Sequence, residues 1–403
     1  MKNKIKTIDL FAGCGGLMDG FEKTGIYETL AGVEWEKSPC VNLANRLKDK
    51  WGYIDAETRV LRFDIRRTDE LLSGWKDDSE YGSSKGLDAL VGKNKLDLII
   101  GGPPCQAYSL AGRIRDKNGM RDDYRNYLFE CYIKIVSHHS PKAFIFENVP
   151  GILSARPNGS LVIDEISKNF NDAGYEILND IKKAIIDFTE YGVPQERKRI
   201  IILGLSKKEY PNAQELLEKF YFEILPSYKT SKKTTVFEAI SNLPKWYPLE
   251  EGHNKKYAYY SDGIAFPNHT PRWQSKRDIE VFKLLTKDIE SGKNEYVKIE
   301  KLKELYTRIT GKNSNVHKYH VIQWNKPSNL IPAHLFKDGL RHIHPDSTQA
   351  RTITVREAAR LQTFSDDFIF SGSQADQFKM IGNAVPPKFS EILGKAVFKL
   401  LFS

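Results

Sequence analysis

Lys6-Thr7-Ile8-Asp9-Leu10 runs without a break into Phe11-Ala12-Gly13-Cys14-Gly15-Gly16-Leu17, an apolar strand feeding a glycine-rich turn. Glycines at a strand-to-helix turn let a ligand approach the backbone closely and leave amide N–H groups free to meet it. About twenty residues further on, at the end of the next strand, stands Glu34, an acid placed to suit the ribose hydroxyls of a nucleoside cofactor. The glycines do not follow the Gly-x-Gly-x-x-Gly spacing, which disfavours a pyrophosphate-binding dinucleotide site. Glu34-Trp35 and Phe63-Asp64-Ile65, both at strand ends, extend the candidate cofactor site.

Outward from this turn, short apolar strands alternate with helical stretches. Lys6–Leu10, Thr29–Val33, Asp97–Ile100, Ala143–Glu147 and Arg199–Leu203 read as strands, and Asn126–Ser137 and Val162–Ala173 as helices between them. That alternation predicts an α/β fold, a mostly parallel sheet with helices on both faces. Ser73–Asn94 is polar and rich in Gly, Ser and Asp, and reads as a long surface loop. After Leu205 the periodicity degrades through Pro226–Thr235 and Glu250–Arg272. It returns as a helix at Thr354–Gln362 and an amphipathic C-terminal helix at Lys388–Leu401. The expected organisation is a catalytic and cofactor-binding domain over 1–205, a smaller irregular basic domain over 206–350, and a return to the first domain over 351–403.

A second cluster of chemistry follows the third strand. Asp97–Ile100 leads into Gly101-Gly102-Pro103-Pro104-Cys105-Gln106, two glycines and a stiff turn at a strand's carboxyl end, where open α/β sheets bind ligands. A thiolate held on such a turn is a candidate nucleophile. Cys14, Cys40 and Cys131 lack that setting and read as small buried hydrophobes. Ala143–Phe146 ends in Glu147-Asn148-Val149, so an acid can face the same crevice as Cys105. In Gln195-Glu196-Arg197-Lys198-Arg199 the alternate residues Gln195, Arg197 and Arg199 share one face if the segment is extended, and its guanidiniums favour an anionic or oxygen-rich ligand.

Bulk properties set limits. In 403 residues, 40% are hydrophobic and 28% charged, the balance of an ordinary globular protein. No apolar run reaches the ~18–20 residues needed to span a membrane, and the basic start lacks the apolar core of a signal peptide, so the chain reads as cytoplasmic. Four scattered cysteines give neither a disulfide framework nor a Cys-x-x-Cys zinc site. His342 and His344 lack a third ligand at suitable spacing, and no metal is expected. Ser206–Ala350 holds 24 Lys and Arg against 17 Asp and Glu, most of the chain's net charge of +9, which points to a polyanionic partner or a solvated basic face. A cysteine hydrolase is disfavoured, because no histidine stands at a strand end of the first domain to activate Cys105.

Phe11–Gly16, Gly102-Pro103-Pro104-Cys105-Gln106, Glu147-Asn148-Val149, Gln195-x-Arg197-x-Arg199, Arg356-Glu357-Ala358-Ala359-Arg360-Leu361-Gln362 and Gly382-Asn383-Ala384-Val385-Pro386 together, in this order, resemble the DNA cytosine-C5 methyltransferases. The resemblance spans the chain except the basic middle. It implies a Rossmann-like S-adenosylmethionine-dependent methyltransferase domain with a smaller target-recognition domain. By position, Phe11, Gly13, Gly15, Glu34, Trp35, Asp64, Ile65, Pro104, Leu128, Asn383 and Ala384 would line the S-adenosylmethionine site. Cys105 would be the nucleophile, and Glu147, Arg197 and Arg199 would hold a flipped cytosine. A site that buries Glu147 beside the base would raise its pKa and let it donate to N3.

Target choice would lie in the basic region, where Thr230–Thr235 and Lys312–His320 offer side chains for phosphates and base edges. Asn325–Pro332 resembles, more weakly, a segment that closes against DNA in this family. A related branch acts on tRNA, but the long middle region and Cys105-Gln106-Ala107-Tyr108-Ser109 favour double-stranded DNA. A non-catalytic relative would have lost Cys105, Glu147 or the glycine turn. A chain of this size, with no added regulatory domain, resembles the monomeric methylase of a bacterial restriction-modification system, whose partner endonuclease acts on the same site without binding it.

Overall fold

A computed structural model describes residues 4–93, 95–104, 127–156, 159–254, 257–313, 318–337 and 339–402. The strands of the first part are β1 (Ile5–Leu10), β2 (Tyr27–Glu34), β3 (Val60–Arg62), β4 (Trp75–Asp78), β5 (Gly82–Ser84), β6 (Leu98–Gly101), β7 (Ala143–Asn148), β8 (Tyr175–Ile177), β9 (Ile185–Asp187) and β10 (Lys198–Ser206). Among the described residues, eight of these form one sheet in the order β3-β2-β1-β6-β7-β10-β8, with β9 against β10. The pairs from β3 to β7 are parallel, and β10 runs antiparallel to β7, β8 and β9. This is the mostly parallel α/β sheet that the alternation predicted.

The central strands carry no inside–outside alternation. Ile99 and Ile100, Phe144–Phe146 and Ile200–Leu203 are all fully buried, so both faces of the sheet are covered. The helix Leu128–His139 is pinned to two strands at once, because the buried Tyr132 hydroxyl bonds Ile99 O and Ile145 O. The chain's final helix, Pro387–Leu401, returns to the N-terminal part of the sheet. Tyr27 Oη donates to Gly394 O at 2.7 Å, and Phe389 stacks on Phe188 with centroids 4.0 Å apart.

Ser73–Asn94 differs from the expected loop. It folds as the β4–β5 hairpin and the short helix Gly86–Val91. Three apolar residues in a polar stretch are responsible: Trp75 stacks on Phe63 at 3.9 Å, and Leu87 and Val91 are buried.

The chain divides into two compact units. One comprises Met1–Gly192, Arg197–Ser231 and Ala384–Ser403, and the other Val193–Glu196 and Lys232–Asn383. The boundaries expected at 205 and 350 therefore move. The segment after β10 stays with the first unit because the Tyr221 hydroxyl is inserted into β10, donating to Ile201 O and accepting from Leu203 N–H. The helix Val355–Leu361 belongs to the second unit. Its N-cap Thr354 and Glu357 form a reciprocal capping box, and Glu357 pairs with buried Arg351. The stretch 351–403 was read as one return to the first domain, whereas the helices Val355–Leu361 and Gln374–Asn383 belong to the second unit and Pro387–Leu401 to the first.

That second unit is less irregular than its sequence suggested. Besides the hairpin of β11 (Trp246–Pro248) and β12 (Tyr259–Ser261), it holds the helices Lys276–Glu290 and Ile299–Thr310. Phe282, Leu285, Leu302 and Leu305 bury a core with Tyr259, Tyr319 and Ile343. Among the described residues, no helix is long and apolar enough to cross a membrane.

The helices beside the glycine turn are tied by a buried ion pair. Arg46 Nε lies 2.6 Å from Asp19 Oδ1, which also accepts from Trp51 Nε1, and the two charged side chains are only 7% and 4% exposed. Removing one partner strands the other charge in the core. Arg46→Ala is expected to lose about 3–5 kcal/mol of unfolding free energy in a urea titration, whereas breaking an exposed pair such as Lys301–Glu304 should leave the urea midpoint nearly unchanged.

Candidate active site

The first cluster is built on the turn after β1. Phe11, Gly13 and Gly15 all have positive φ (60°, 57° and 89°), so the chain coils tightly before the helix Gly16–Lys23. At Gly15 an added Cβ would lie 2.5 Å from Leu43 Cδ1, whereas at Gly13 it would meet nothing within 4 Å. The turn is thus packed from below and open above. Glu34, at the end of β2, closes one side. Its Oε2 accepts from Gly13 N–H at 3.0 Å, and its Oε1 accepts from Trp35 N–H and Glu36 N–H at 2.8 and 2.9 Å. Burial raises the Glu34 carboxyl above the usual range, and these backbone donors oppose the shift. The Trp35 ring beside it is 48% exposed, an unusual degree of exposure for an indole.

Asp64 and Ile65 follow β3, one strand further out. Ile65 is buried, and Arg66 Nε grips both Asp64 oxygens at 3.0 and 2.9 Å. Burial acts to raise the Asp64 carboxyl, but Arg66 outweighs it and holds the group below its ordinary value. Asp9, on β1 beneath the turn, is buried and sits well above the carboxylate range, because desolvation outweighs a hydrogen bond from Met18. It is a core carboxyl that motif reading passed over.

The second cluster lies at the ends of β6, β7 and β10. Glu147 stands opposite Ile201 in the antiparallel register, which sets Arg199 diagonally across on the same face. Arg199 Nε reaches Glu147 Oε1 at 3.0 Å, with each side chain only 12% exposed. A Cβ at Gly102 would come within 2.7 Å of Glu147 Oε2, so only glycine lets that carboxylate lie against the Pro103-Pro104 turn. Asn148 fixes the same turn, donating from Nδ2 to Pro103 O at 3.3 Å, while its Oδ1 accepts from Val149 N–H. Sequence reading quoted Asn148 but gave it no role. A buried amide next to a strand-end acid was the available signal.

Cys105 lies outside the described residues, which stop at Pro104 and resume at Tyr127. Leu128 is buried at the start of the following helix. The other thiols are poor nucleophiles: burial pushes Cys14 far up and Cys40 to about 12, and raises Cys131 as well.

The Gln195–Arg199 segment does not share one face as expected. β10 begins only at Lys198, so strand alternation does not reach back to Gln195. Arg197 is buried in the first unit and donates from Nη2 to Ala384 O at 2.9 Å. Gln195 belongs to the second unit. It is fully buried, donates to Leu361 O and the Gln362 side chain, and accepts from Ile331 N–H. Asn383 ends a helix of that same unit, so the structure assigns it to a different body from Ala384.

In the second unit, Thr235 caps the helix Val236–Ile240, and Ser328 bridges to Gln195 within Asn325–Pro332. Residues 314–317 of Lys312–His320 lie outside the described set. His342 and His344 are buried: His342 Nε2 bonds Leu330 O, and His344 Nδ1 accepts from Asp346 N–H with Nε2 3.4 Å from Glu357.

Comparison with known proteins addresses the same residues as a set. The family model described as C-5 cytosine-specific DNA methylase matches residues 5–399. The type II methyltransferase M.Bpa9945I of Bacillus paralicheniformis is 34% identical, over 97% of this chain and 98% of its own. M.NgoPII of Neisseria gonorrhoeae, another type II methyltransferase, is 31% identical over 99% and 97%. Among solved structures, a chain described as a DNA modification methyltransferase encoded within an E. coli prophage superposes with a TM-score of 0.64 over 99% of this chain and all of its own. At 21% identity it speaks to the fold alone. A match that runs nearly end to end, in full-length relatives above 30% identity, leaves no segment to a different family: the chain belongs to the C-5 cytosine-specific DNA methylases and is a DNA cytosine-5 methyltransferase of the type II kind.

Proposed function

We propose that this chain methylates carbon 5 of a cytosine in a specific double-stranded DNA sequence, with S-adenosylmethionine as donor and a transient Cys105 adduct to an extruded base. The observation that carries the residue roles is the Glu147–Arg199 pair packed against Gly102, three residues before Cys105. It supports a pocket in which an acid, a guanidinium and a thiol converge on one ring.

The turn after β1 fits the donor. The space above Gly13, the two oxygens of Glu34 and the exposed Trp35 ring suit a backbone-packed ligand, ribose hydroxyls and a stacked adenine respectively. Asp64, Ile65, Pro104, Leu128, Phe11, Gly15 and Ala384 complete the proposed lining. When bound, S-adenosylmethionine supplies an electrophilic methyl group.

The rest falls to the protein. Carbon 5 of cytosine is too weakly nucleophilic in the intact ring. The Cys105 thiolate forms a bond to carbon 6, and the electron pair of the carbon 5–carbon 6 bond moves toward carbon 5 and the N3 side. Glu147 donates a proton to N3 and accepts from the exocyclic amine. Arg197 binds the oxygen at position 2, and Arg199 orients Glu147. After carbon 5 has taken the methyl, water removes its proton, the double bond re-forms, the thiolate leaves and N3 returns its proton to Glu147. A base stacked in the duplex can be reached by none of these groups, so extrusion is required.

We assign target recognition to the second unit, supported by the excess of Lys and Arg over Ser206–Ala350. We read the enzyme as a monomer working beside an endonuclease of the same target.

Bisulfite sequencing of DNA from cells expressing the protein is expected to show protected cytosines at one recurring sequence, lost entirely with Cys105→Ala. Protection surviving that substitution, or methyl groups on adenine, refutes the reading. Glu147→Gln is expected to lower kcat by about 10²–10⁴-fold in a tritiated-methyl transfer assay, with donor affinity unchanged. Trp35→Ala should do the converse, weakening donor binding roughly 3- to 10-fold by calorimetry while leaving single-turnover chemistry at saturating donor near wild type.

A further inference from the structure

The helix Leu128–His139 carries Leu128 of the proposed cofactor wall at one end and two adjacent histidines at the other. His138 Nε2 lies 2.8 Å from Asp88 Oδ1, and His139 Nε2 lies 3.7 Å from the same oxygen. Asp88 belongs to the short helix Gly86–Val91, inside the segment that sequence reading took for a loop. The three donor atoms all fall within 4.8 Å of one another. The two imidazoles stand nearly perpendicular, with centroids 4.8 Å apart.

His139 makes this more than a surface cluster. Its side chain is only 7% exposed, yet its Nε2 is buried and makes no hydrogen bond among the described residues. A buried ring nitrogen aimed at a carboxylate beyond hydrogen-bonding distance lacks a ligand on its lone pair.

We propose that Asp88, His138 and His139 form a site for a borderline divalent transition-metal ion of the zinc, cobalt or nickel class, clipping the helix Gly86–Val91 to the C-terminal end of Leu128–His139. Two imidazoles and one carboxylate select such ions over magnesium or calcium, which prefer all-oxygen sites. Ligand bonds of ~2.0–2.2 Å place tetrahedral donor atoms about 3.4 Å apart, so one of the donor pairs is already near that spacing. His138, 43% exposed, is free to rotate into place, and water completes the shell. The expectation of a metal-free chain came from His342 and His344 and is revised here for a different pair. The ion is a structural clip, remote from the methyl-transfer groups, and binding it stabilises the folded state by mass action.

The test uses tag-free, full-length protein stripped with chelator. Titration with nickel by calorimetry is expected to show one equivalent bound with micromolar affinity, and zinc should raise the unfolding temperature while magnesium does not. The cobalt form should lack thiolate charge-transfer absorption, which separates this site from the cysteines. His138→Ala and Asp88→Asn, both at exposed positions, should each weaken binding roughly 10-fold or more and leave metal-free methylation unchanged. Unaltered binding in both variants overturns the proposal, as does the lack of a saturable equivalent at millimolar metal or a thiolate band in the cobalt form.

Discussion

A half-buried carboxylate at the end of an open sheet needs a cation against it, and the end of this sheet is organised by that need. Glu147 has Arg199 at 3.0 Å, and the pairing follows from one register choice, Glu147 opposite Ile201. Antiparallel β10 at this edge of an otherwise parallel sheet is what makes it possible. A parallel neighbour would bring a strand's carboxyl end, not the start of a strand, beside Glu147. The reversal of one strand thus sets a guanidinium beside the acid, and Gly102 and Asn148 then fix the turn leading to Cys105 with respect to both.

The turn after β1, proposed for the methyl donor, and the turn after β6, proposed for the base, are linked through the backbone ladder. Leu10 pairs with Gly101 in the parallel β1–β6 ladder, so Phe11 and Gly102 leave the sheet side by side, about 4.8 Å apart in the ladder direction. Two loops from neighbouring strands must rise together at the carboxyl end, and the gap between them is where open α/β sheets accept ligands. The fully buried strands beneath give both loops a common rigid base. A transfer between two bound molecules depends on that fixed spacing more than on any one contact.

How far these features were legible in the sequence follows from the range of the forces involved. β2, β6, β7 and β10 were readable because a strand buried on both faces tends to a continuous apolar run, whereas β1, with Lys6, Thr7 and Asp9 in it, was marked by the glycine turn that follows. Glu34 and Glu147 stood out because each ends such a run. The hairpin within Ser73–Asn94 was hidden, since three anchors (Trp75, Leu87 and Val91) are too few to set a period among polar residues. The helices Lys276–Glu290 and Ile299–Thr310 had a period, Leu302, Leu305 and Ile309 among it, but lysines crowd the exposed faces and the charge masked the stripe. Gln195 and Arg197 were misjudged as sharing a face with Arg199 because alternation was extended three residues before β10 begins. The unit boundaries erred for a related reason: a capping box at Thr354 marks where a helix starts, not which core it packs on.

The thiols show why the reactive cysteine belongs on a turn. Cys14 lies within the glycine turn itself, close to the donor site, yet burial drives its pKa far up and Asp19 and Glu34 add to the rise. Burial raises Cys40 most, Glu34 and Glu36 add to the rise against Arg62 and a backbone hydrogen bond, and the thiol is pushed up to about 12. Cys131 is likewise raised by burial, on the helix that follows the undescribed stretch. A core that is dry enough to hold strand-end carboxylates in place is, for the same reason, one in which a thiolate cannot form. In the proposed mechanism the nucleophile is therefore none of these three thiols but a residue joined to an anchored segment. Pro103 and Pro104, tied down by Asn148 at the end of β6, provide such an anchor for the residue that follows them.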